Sequence, residues 1–191
     1  METDIASNHI LVLCRSQFYW FDVLDENSDV IITEKDLIAN FRAIIEDALA
    51  TPAREAAKTA VGVLSTENRR IWAGLREHLL HPGHEGDEFP PNRESLQIVD
   101  SALFVVCLDD SEPVGLSNVA ANVLSGSYRL EDGVQIGTCT NRWYDKLQII
   151  VCRNGSAGIN FERTLSRKNI AHCRHWCRWS YSLAIRIRYL Y

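Results

Sequence analysis

The stretch from Asn141 to Glu162 places the tightest constraint on what this chain can fold into. It contains an apolar run, Leu147–Cys152, and a second short run, Ala157–Phe161. Asn154-Gly155 between two apolar runs is a strong signal for a β-hairpin, because a type I′ turn requires positive φ at both central residues. The sequence therefore predicts two antiparallel strands joined by a type I′ turn.

The chain changes character after Glu162. The segment from Arg163 to Tyr191 holds seven Lys or Arg, no Asp or Glu, and two of the five tryptophans. Residues 1–162 hold 13 basic and 25 acidic residues, a net charge of −12 against −5 for the whole chain. An acidic body argues against nucleic-acid binding by the main domain. We predict one domain over 1–162 and a separate basic tail over 163–191.

Length and composition limit the class of protein. With 191 residues and 46% hydrophobic content, the chain is long enough for a sizeable core. We expect no transmembrane segment and no signal peptide, because no apolar run approaches bilayer length and the start is acidic. Six cysteines are scattered along the chain: Cys14, Cys107, Cys139, Cys152, Cys173 and Cys177. This scatter is typical of buried free thiols in a reducing compartment, and predicts a cytoplasmic protein.

Hydrophobic patterning predicts a mixture of strands and helices. Two β-rich runs between His9 and Asp25 indicate a strand pair, and Thr33 is the predicted N-cap of an amphipathic helix over 34–50. The later elements are a helix opened by Pro52, a short buried run Val61–Leu64 and a helix begun by Ser65–Asn68, with an apolar face of Ile71, Trp72, Leu75, Leu79 and Leu80. They are followed by a helix or helix-to-strand passage from Leu96, a buried strand Leu103–Leu108, a short helix Ser117–Leu124 and an extended segment Val134–Thr138. The predicted fold class is α/β or α+β.

Two polar clusters have both a functional and a structural interpretation. Arg69, Arg70 and Arg76 could form a phosphate-binding patch, but a solvated helix face is the favoured interpretation. Asp109 and Asp110 follow the predicted buried strand and could be a catalytic carboxylate pair. Because a Ser-Glu-Pro turn comes next, a solvated turn is favoured.

Two groups of residues carry metal-ligand chemistry. His81, His84, Glu85 and Asp87 lie in a loop rich in Gly and Pro, which an ion would have to order without a second shell to support it. The run from His172 to Cys177 has zinc-type ligands, but it lacks a paired cluster and the usual spacing. We predict no metal site in either place.

Four stretches resemble the choline/carnitine acyltransferase family, and most of all its fungal carnitine acetyltransferase members. They are Leu13–Asp25, Gly62–Arg76, Ile98–Asp109 and Gly137–Glu162. The motif N-R-W-Y-D-K in the last stretch and L-S-T-E-N-R-R-I-W in the second are specific in combination. The resemblance runs almost continuously from about His9 to Glu162.

The resemblance implies an incomplete domain of the chloramphenicol-acetyltransferase-like, coenzyme A-dependent acyltransferase type. Family members are far longer, with two such domains and an active-site tunnel between them. Their reaction is reversible acyl transfer between coenzyme A and the hydroxyl of carnitine. One histidine acts as general base, and a Ser-Thr-Ser hydroxyl stabilises the oxyanion.

This chain departs from the family pattern at the catalytic position. In the family the histidine directly follows the Phe/Tyr–Glu pair that ends the hairpin, and here Phe161-Glu162 is followed by Arg163. Arginine stays protonated and cannot act as a base. The family's coenzyme A and carnitine sites lie further downstream than anything matched here. We therefore nominate no catalytic, cofactor-binding or metal-binding residue, expect this chain to be inactive, and expect acyl-CoA and carnitine to be partners of the intact enzyme.

The tail has a simple explanation at the nucleic-acid level. Arg174–Tyr191 can be back-translated so that a shifted frame reads Thr-Gly-Val-Asp-Gly-His-Thr-Val-Leu-Arg-Phe-Ala-Ser-Asp-Ile-Tyr, the continuation that the resemblance implies. The Arg163 codon can hold the start of an intron, and Cys173-Arg174 its end. We hypothesise a retained or mispredicted intron that splits the histidine codon. The alternatives are a tail that binds RNA or a membrane surface, and a non-catalytic fragment that acts through unpaired strand edges.

Overall fold

The computed structural model describes residues 7–80 and 91–161. Its strands are β1 His9–Cys14, β2 Gln17–Asp22, β3 Val105–Asp109, β4 Arg129–Glu131, β5 Val134–Ile136, β6 Gln148–Cys152 and β7 Ala157–Asn160. Five of them form a mixed sheet in the order β2-β1-β3-β6-β7, and β4 pairs with β5 separately. Strands β1, β3 and β6 are parallel, while β2 and β7 run antiparallel to their neighbours.

The described ranges contain five α-helices. They are α1 Glu34–Ala50, α2 Ala53–Lys58, α3 Arg69–Leu80, α4 Pro91–Ser101 and α5 Leu116–Ser125. Helix α1 packs on one sheet face, and α3, α4 and α5 supply the core of the other face. The mixed α/β fold class is confirmed. Within the described ranges, no helix is long and apolar enough to cross a membrane.

Alternation along the central strands divides the core in two. In β1, Leu11 and Leu13 point to the face that α3, α4 and α5 cover, while Ile10 and Val12 point to α1. All six residues of β1 and all five of β3 are buried. A strand covered on both faces needs apolar residues at successive positions, which explains the continuous apolar run over 10–14.

The predicted hairpin is confirmed, but its predicted turn type is wrong. Strands β6 and β7 are joined by the four-residue loop Arg153–Ser156, in which Gly155 has φ 77° and Asn154 does not have positive φ. Asn154 Oδ1 accepts instead from the Ser156 amide at 3.1 Å. A two-residue loop with positive φ at both positions joins β1 to β2, at Arg15 (50°) and Ser16 (66°).

The region between α2 and α3 differs from its prediction. The run predicted as buried is a 3₁₀ turn, Val61–Thr66, in which Val61 is 36% exposed. Helix α3 begins at Arg69, and Asn68 Oδ1 accepts from the amides of the two residues after Arg69. On the predicted apolar face Trp72 is buried, but the prediction is wrong for Ile71, which is 48% exposed.

Thr33 caps α1 as predicted. Its Oγ1 accepts from the Asp36 amide at 3.3 Å, and the Asp36 carboxylate accepts from the Thr33 amide at 3.2 Å, which forms a capping box. We expect Thr33→Ala to lower the free energy of unfolding by about 1 kcal/mol, because the Asp36 amide loses its acceptor. Urea denaturation followed by circular dichroism measures this. Thr33→Ser keeps the acceptor and is the control; equal losses in both variants would contradict the capping role.

Candidate functional site

A buried ion pair between Asp109 and Arg142 lies at the carboxyl end of β3. Both side chains are fully buried, and each Nη atom of Arg142 donates to one carboxylate oxygen at 2.8 Å. This two-pronged geometry is the strongest form of guanidinium–carboxylate pairing. The prediction that Asp109 lies in a solvated turn is therefore wrong, whereas Asp110 is 64% exposed.

Two asparagines complete the shell around the Asp109 carboxylate. Asn141 Nδ2 donates to one oxygen at 3.1 Å, and Asn122 Nδ2 donates to the other at 2.8 Å. Arg142 Nη2 also donates to the Asn122 carbonyl at 2.7 Å. The network thus joins β3, α5 and the segment before β6. With four donors on its two oxygens, Asp109 has little capacity left to accept a substrate proton.

Arg142 is charged at neutral pH. Burial opposes the charge on Arg142, but the hydrogen bonds and the attraction from Asp109 raise the pKa of Arg142 above its usual value. A buried charge needs such a partner, because desolvation of an unpaired ion is costly. The pair therefore orders the end of β3, which favours a structural interpretation of Asp109.

The thiols within the described ranges are free and buried. They are Cys14, Cys107, Cys139 and Cys152. Burial raises the pKa of Cys14 and of Cys107 to about 12, so both remain protonated thiols at neutral pH. The prediction of buried free thiols is confirmed for these four, while Cys173 and Cys177 lie outside the described residues.

Two arginines of α3, Arg69 and Arg76, form ion pairs. Arg76 donates to both carboxylate oxygens of Asp100, and its guanidinium carbon lies 5.6 Å from the centre of the Trp72 ring. Arg69 and Trp72 both donate to Asp145. The side chain of Arg76 is 22% exposed, so the prediction of a solvated face is wrong at this position. Both Nη groups of Arg76 are engaged by the Asp100 carboxylate, so they are not free to bind a phosphate.

The last strand, β7, ends at the opposite end of the parallel strands from Asp109. Asn160 pairs with Gln148, the first residue of β6, so β7 ends beside the amino ends of the parallel strands. Asn160 Nδ2 donates to the Val123 and Leu124 carbonyls at 3.1 Å each, and the Tyr144 hydroxyl donates to Leu124 at 3.0 Å. Phe161 is the last described residue. Glu162 and Arg163 lie outside the described residues.

Metal-ligand groups are absent from the described parts of the chain. No cluster of three or more His, Cys, Asp or Glu is placed to hold an ion in 7–80 or 91–161. The loop ligands His81, His84, Glu85 and Asp87 and the run from His172 to Cys177 lie outside these ranges.

Fold and site together define a mixed α/β protein. A buried polar network orders the carboxyl ends of the parallel strands, and an antiparallel hairpin ends beside their amino ends. The family model of choline/carnitine O-acyltransferases matches residues 1–166. The chain belongs to the choline/carnitine O-acyltransferase family.

Individual relatives agree with this membership. The chain is 42% identical over 178 residues to a putative mitochondrial carnitine O-acetyltransferase of Saccharomyces cerevisiae, with 86% of the chain and 24% of the relative covered. It is 36% identical over 163 residues to human mitochondrial carnitine O-palmitoyltransferase 2, with 85% and 21% covered. The chain thus spans about a quarter of the length of the curated relatives it matches.

Proposed function

We propose that this chain is part of an acyltransferase that moves an acetyl or short acyl group between coenzyme A and carnitine, with a histidine as general base. The observation that carries the proposal is the family match, which runs over the β6–β7 hairpin and ends at residue 166. A relative that is 42% identical and named a carnitine O-acetyltransferase supports the short acyl group.

We further propose that the chain as written does not turn over substrate. The hairpin ends in Phe161-Glu162, after which the family resemblance implies the histidine, and Arg163 follows instead. Its guanidinium keeps its proton and cannot deprotonate the carnitine hydroxyl or the coenzyme A thiol.

An assay of coenzyme A thiol release from acetyl-CoA and carnitine tests the inactivity. We expect the 191-residue chain to release coenzyme A no faster than buffer alone, because Arg163 cannot take up the proton. A full-length family acetyltransferase assayed in parallel is the positive control. Carnitine-dependent release by the chain would overturn the proposal of inactivity.

The tail over 163–191 is proposed to be out-of-frame translation. The end of the family match at residue 166, close to the start of the tail, supports this boundary. Genomic and transcript sequence across the Glu162 codon decides the matter. We expect intron borders at the Arg163 and Cys173-Arg174 codons and a histidine codon after splicing; a transcript that encodes the tail without an intron would rule the hypothesis out.

A non-catalytic role through protein contacts is the alternative, and the surface of α5 favours it. This helix carries no charged residue, and Leu116 and Leu124 on it are 74% and 64% exposed. Exposed apolar side chains on an uncharged helix are typical of contact surfaces. Leu116→Lys would place a charge on this surface and weaken such a contact.

Cytoplasmic location is also a proposal, and the four buried free thiols support it. The relatives compared above are named mitochondrial, so an organellar form of the intact enzyme is the competing proposal. Subcellular fractionation of the source cells with an antibody against residues 1–162 separates the two locations.

A further inference from the structure

A small polar pocket lies beside the carboxyl ends of the parallel strands, at the opposite end of these strands from the last residue of β7. Its volume is about 170 Å³, and it opens between the β1–β2 turn, the start of α2 and the β4–β5 hairpin. The lining residues with charged side chains are Arg15, Asp109, Asp110 and Arg129. Crevices outside the carboxyl ends of parallel strands are the usual ligand sites of α/β sheets.

The neutral polar wall of the pocket is already satisfied by the fold. Ser16 Oγ and Thr140 Oγ1 lie 2.7 Å apart and bond each other, and Thr140 Oγ1 donates to the Gly137 carbonyl at 2.9 Å. Asn141 Nδ2 donates to the Leu108 carbonyl at 3.0 Å as well as to Asp109. These groups therefore hold the pocket's shape and leave ligand binding to the charged side chains.

The two arginines retain donors for a ligand. Arg15 Nε is buried and has no hydrogen-bond partner among the described residues, and Arg15 Nη1 lies 3.8 Å from Asp110 Oδ2, beyond hydrogen-bond distance. Arg129 donates through Nε to Glu131 at 2.6 Å, which leaves its two Nη groups outside that contact. The lining therefore presents two guanidinium groups whose donors are not used up.

The carboxylates of the lining do not cancel this charge equally. Asp109 is neutralised by Arg142 and accepts two further amide donors. Asp110 is 64% exposed, its Oδ2 lies 3.8 Å from Arg15 Nη1, and its negative charge also acts on Arg129. Asp110 is thus a weakly held internal anion next to Arg15, in the position that an external anion would take.

Pocket size limits the ligand. A volume of about 170 Å³ equals roughly five or six liquid waters of ~30 Å³ each, and lies below the range of ~300–1,000 Å³ typical of larger organic ligands. Guanidinium forks suit carboxylate and phosphate oxygens. We propose that this pocket binds a small oxyanion between Arg15 and Arg129, with Asp110 as a competing internal anion. The proposal does not depend on acyl transfer.

Titration of the 191-residue chain with inorganic phosphate and with acetate tests the site. Isothermal titration calorimetry at constant ionic strength, held with NaCl, separates specific binding from screening. We expect Arg15→Gln to weaken binding at least roughly tenfold, as for the loss of a charged hydrogen bond, and Asp110→Asn to tighten it. The control Arg153→Gln breaks an exposed contact with Glu112 and leaves binding unchanged.

Each outcome decides the proposal. Tighter binding of phosphate than of acetate identifies a phosphate site, and the reverse identifies a carboxylate site. Absence of heat with both anions, or equal loss in the Arg15 and Arg153 variants, overturns the site. If Arg15→Gln loses its circular dichroism signal, Asp110→Asn remains decisive, since an unchanged affinity in that folded variant overturns the competition.

Discussion

Arg142→Met is expected to lower the free energy of unfolding by about 3–5 kcal/mol, because it leaves the Asp109 carboxylate buried without its counter-ion. Methionine keeps the unbranched apolar stem but supplies no donor. Both side chains of the pair are 0% exposed, so water does not replace the lost hydrogen bonds. Urea denaturation of the 191-residue chain, followed by circular dichroism at constant pH, measures the loss.

Two companion variants separate the ion pair from general damage. Arg153→Met removes an arginine whose contact with Glu112, at 3.4 Å, is more than half exposed, so we expect a loss below about 1 kcal/mol. Asp109→Leu combined with Arg142→Met removes both buried charges and should recover part of the loss. A loss in Arg142→Met no larger than in Arg153→Met would contradict the role of the pair.

Much of the sheet could be predicted from local sequence. The apolar runs at β1, β3 and β6 are continuous, which is what strands buried on both faces require. Turn chemistry was less reliable. The β4–β5 turn has Asp132 and Gly133 at φ 49° and 80°, so this Asp-Gly pair is a hairpin signal, although only the extended segment that follows it is predicted above.

The buried ion pair could not be predicted from the residues around Asp109. Asp-Asp-Ser-Glu-Pro is locally typical of a solvated turn, and the partner of Asp109 lies far along the chain at Arg142. The motif N-R-W-Y-D-K did mark the partner, since it contains Asn141 and Arg142, both of which contact the carboxylate. A motif does not by itself show which residue it contacts or whether that residue is buried. Burial is what decides whether Asp109 lies in a solvated turn or in an ion pair.

Strand register also places the end of β7 and the Asp109 network at opposite ends of the parallel strands. Pairing of Asn160 with Gln148 brings the end of β7 to the amino ends of the parallel strands, while the Asp109 network stays at their carboxyl ends. The sequence predicts the hairpin but not which strand β6 joins on its other side. Because β6 pairs in parallel with β3, the carboxyl ends of both strands lie together and their amino ends lie together at the other end.

Trp143→Ala is expected to lower the free energy of unfolding by about 3–5 kcal/mol, the usual cost of removing a large buried aromatic side chain. Trp143 is 1% exposed and contacts two rings edge-on, Phe18 at 5.8 Å and Trp72 at 5.4 Å between centroids. Such pairs add to the energy of burial. The same urea denaturation, read by circular dichroism because the change removes a fluorophore, measures the loss.

Phenylalanine at the same position and alanine at an exposed tryptophan are the matched controls. The Trp143 Nε1 has no hydrogen-bond partner within the described ranges, so Trp143→Phe loses ring volume without losing a bond and should retain more than half of the stability that alanine removes. Trp20 is 52% exposed, and Trp20→Ala leaves a smaller void, with an expected loss below about 1.5 kcal/mol. Equal losses of stability in Trp20→Ala and Trp143→Ala would show that this core does not depend on the Trp143 side chain. The expected difference instead makes N-R-W-Y-D-K a structural motif as well as a family marker, since Arg142 fixes the end of β3 and Trp143 fills the core beside it.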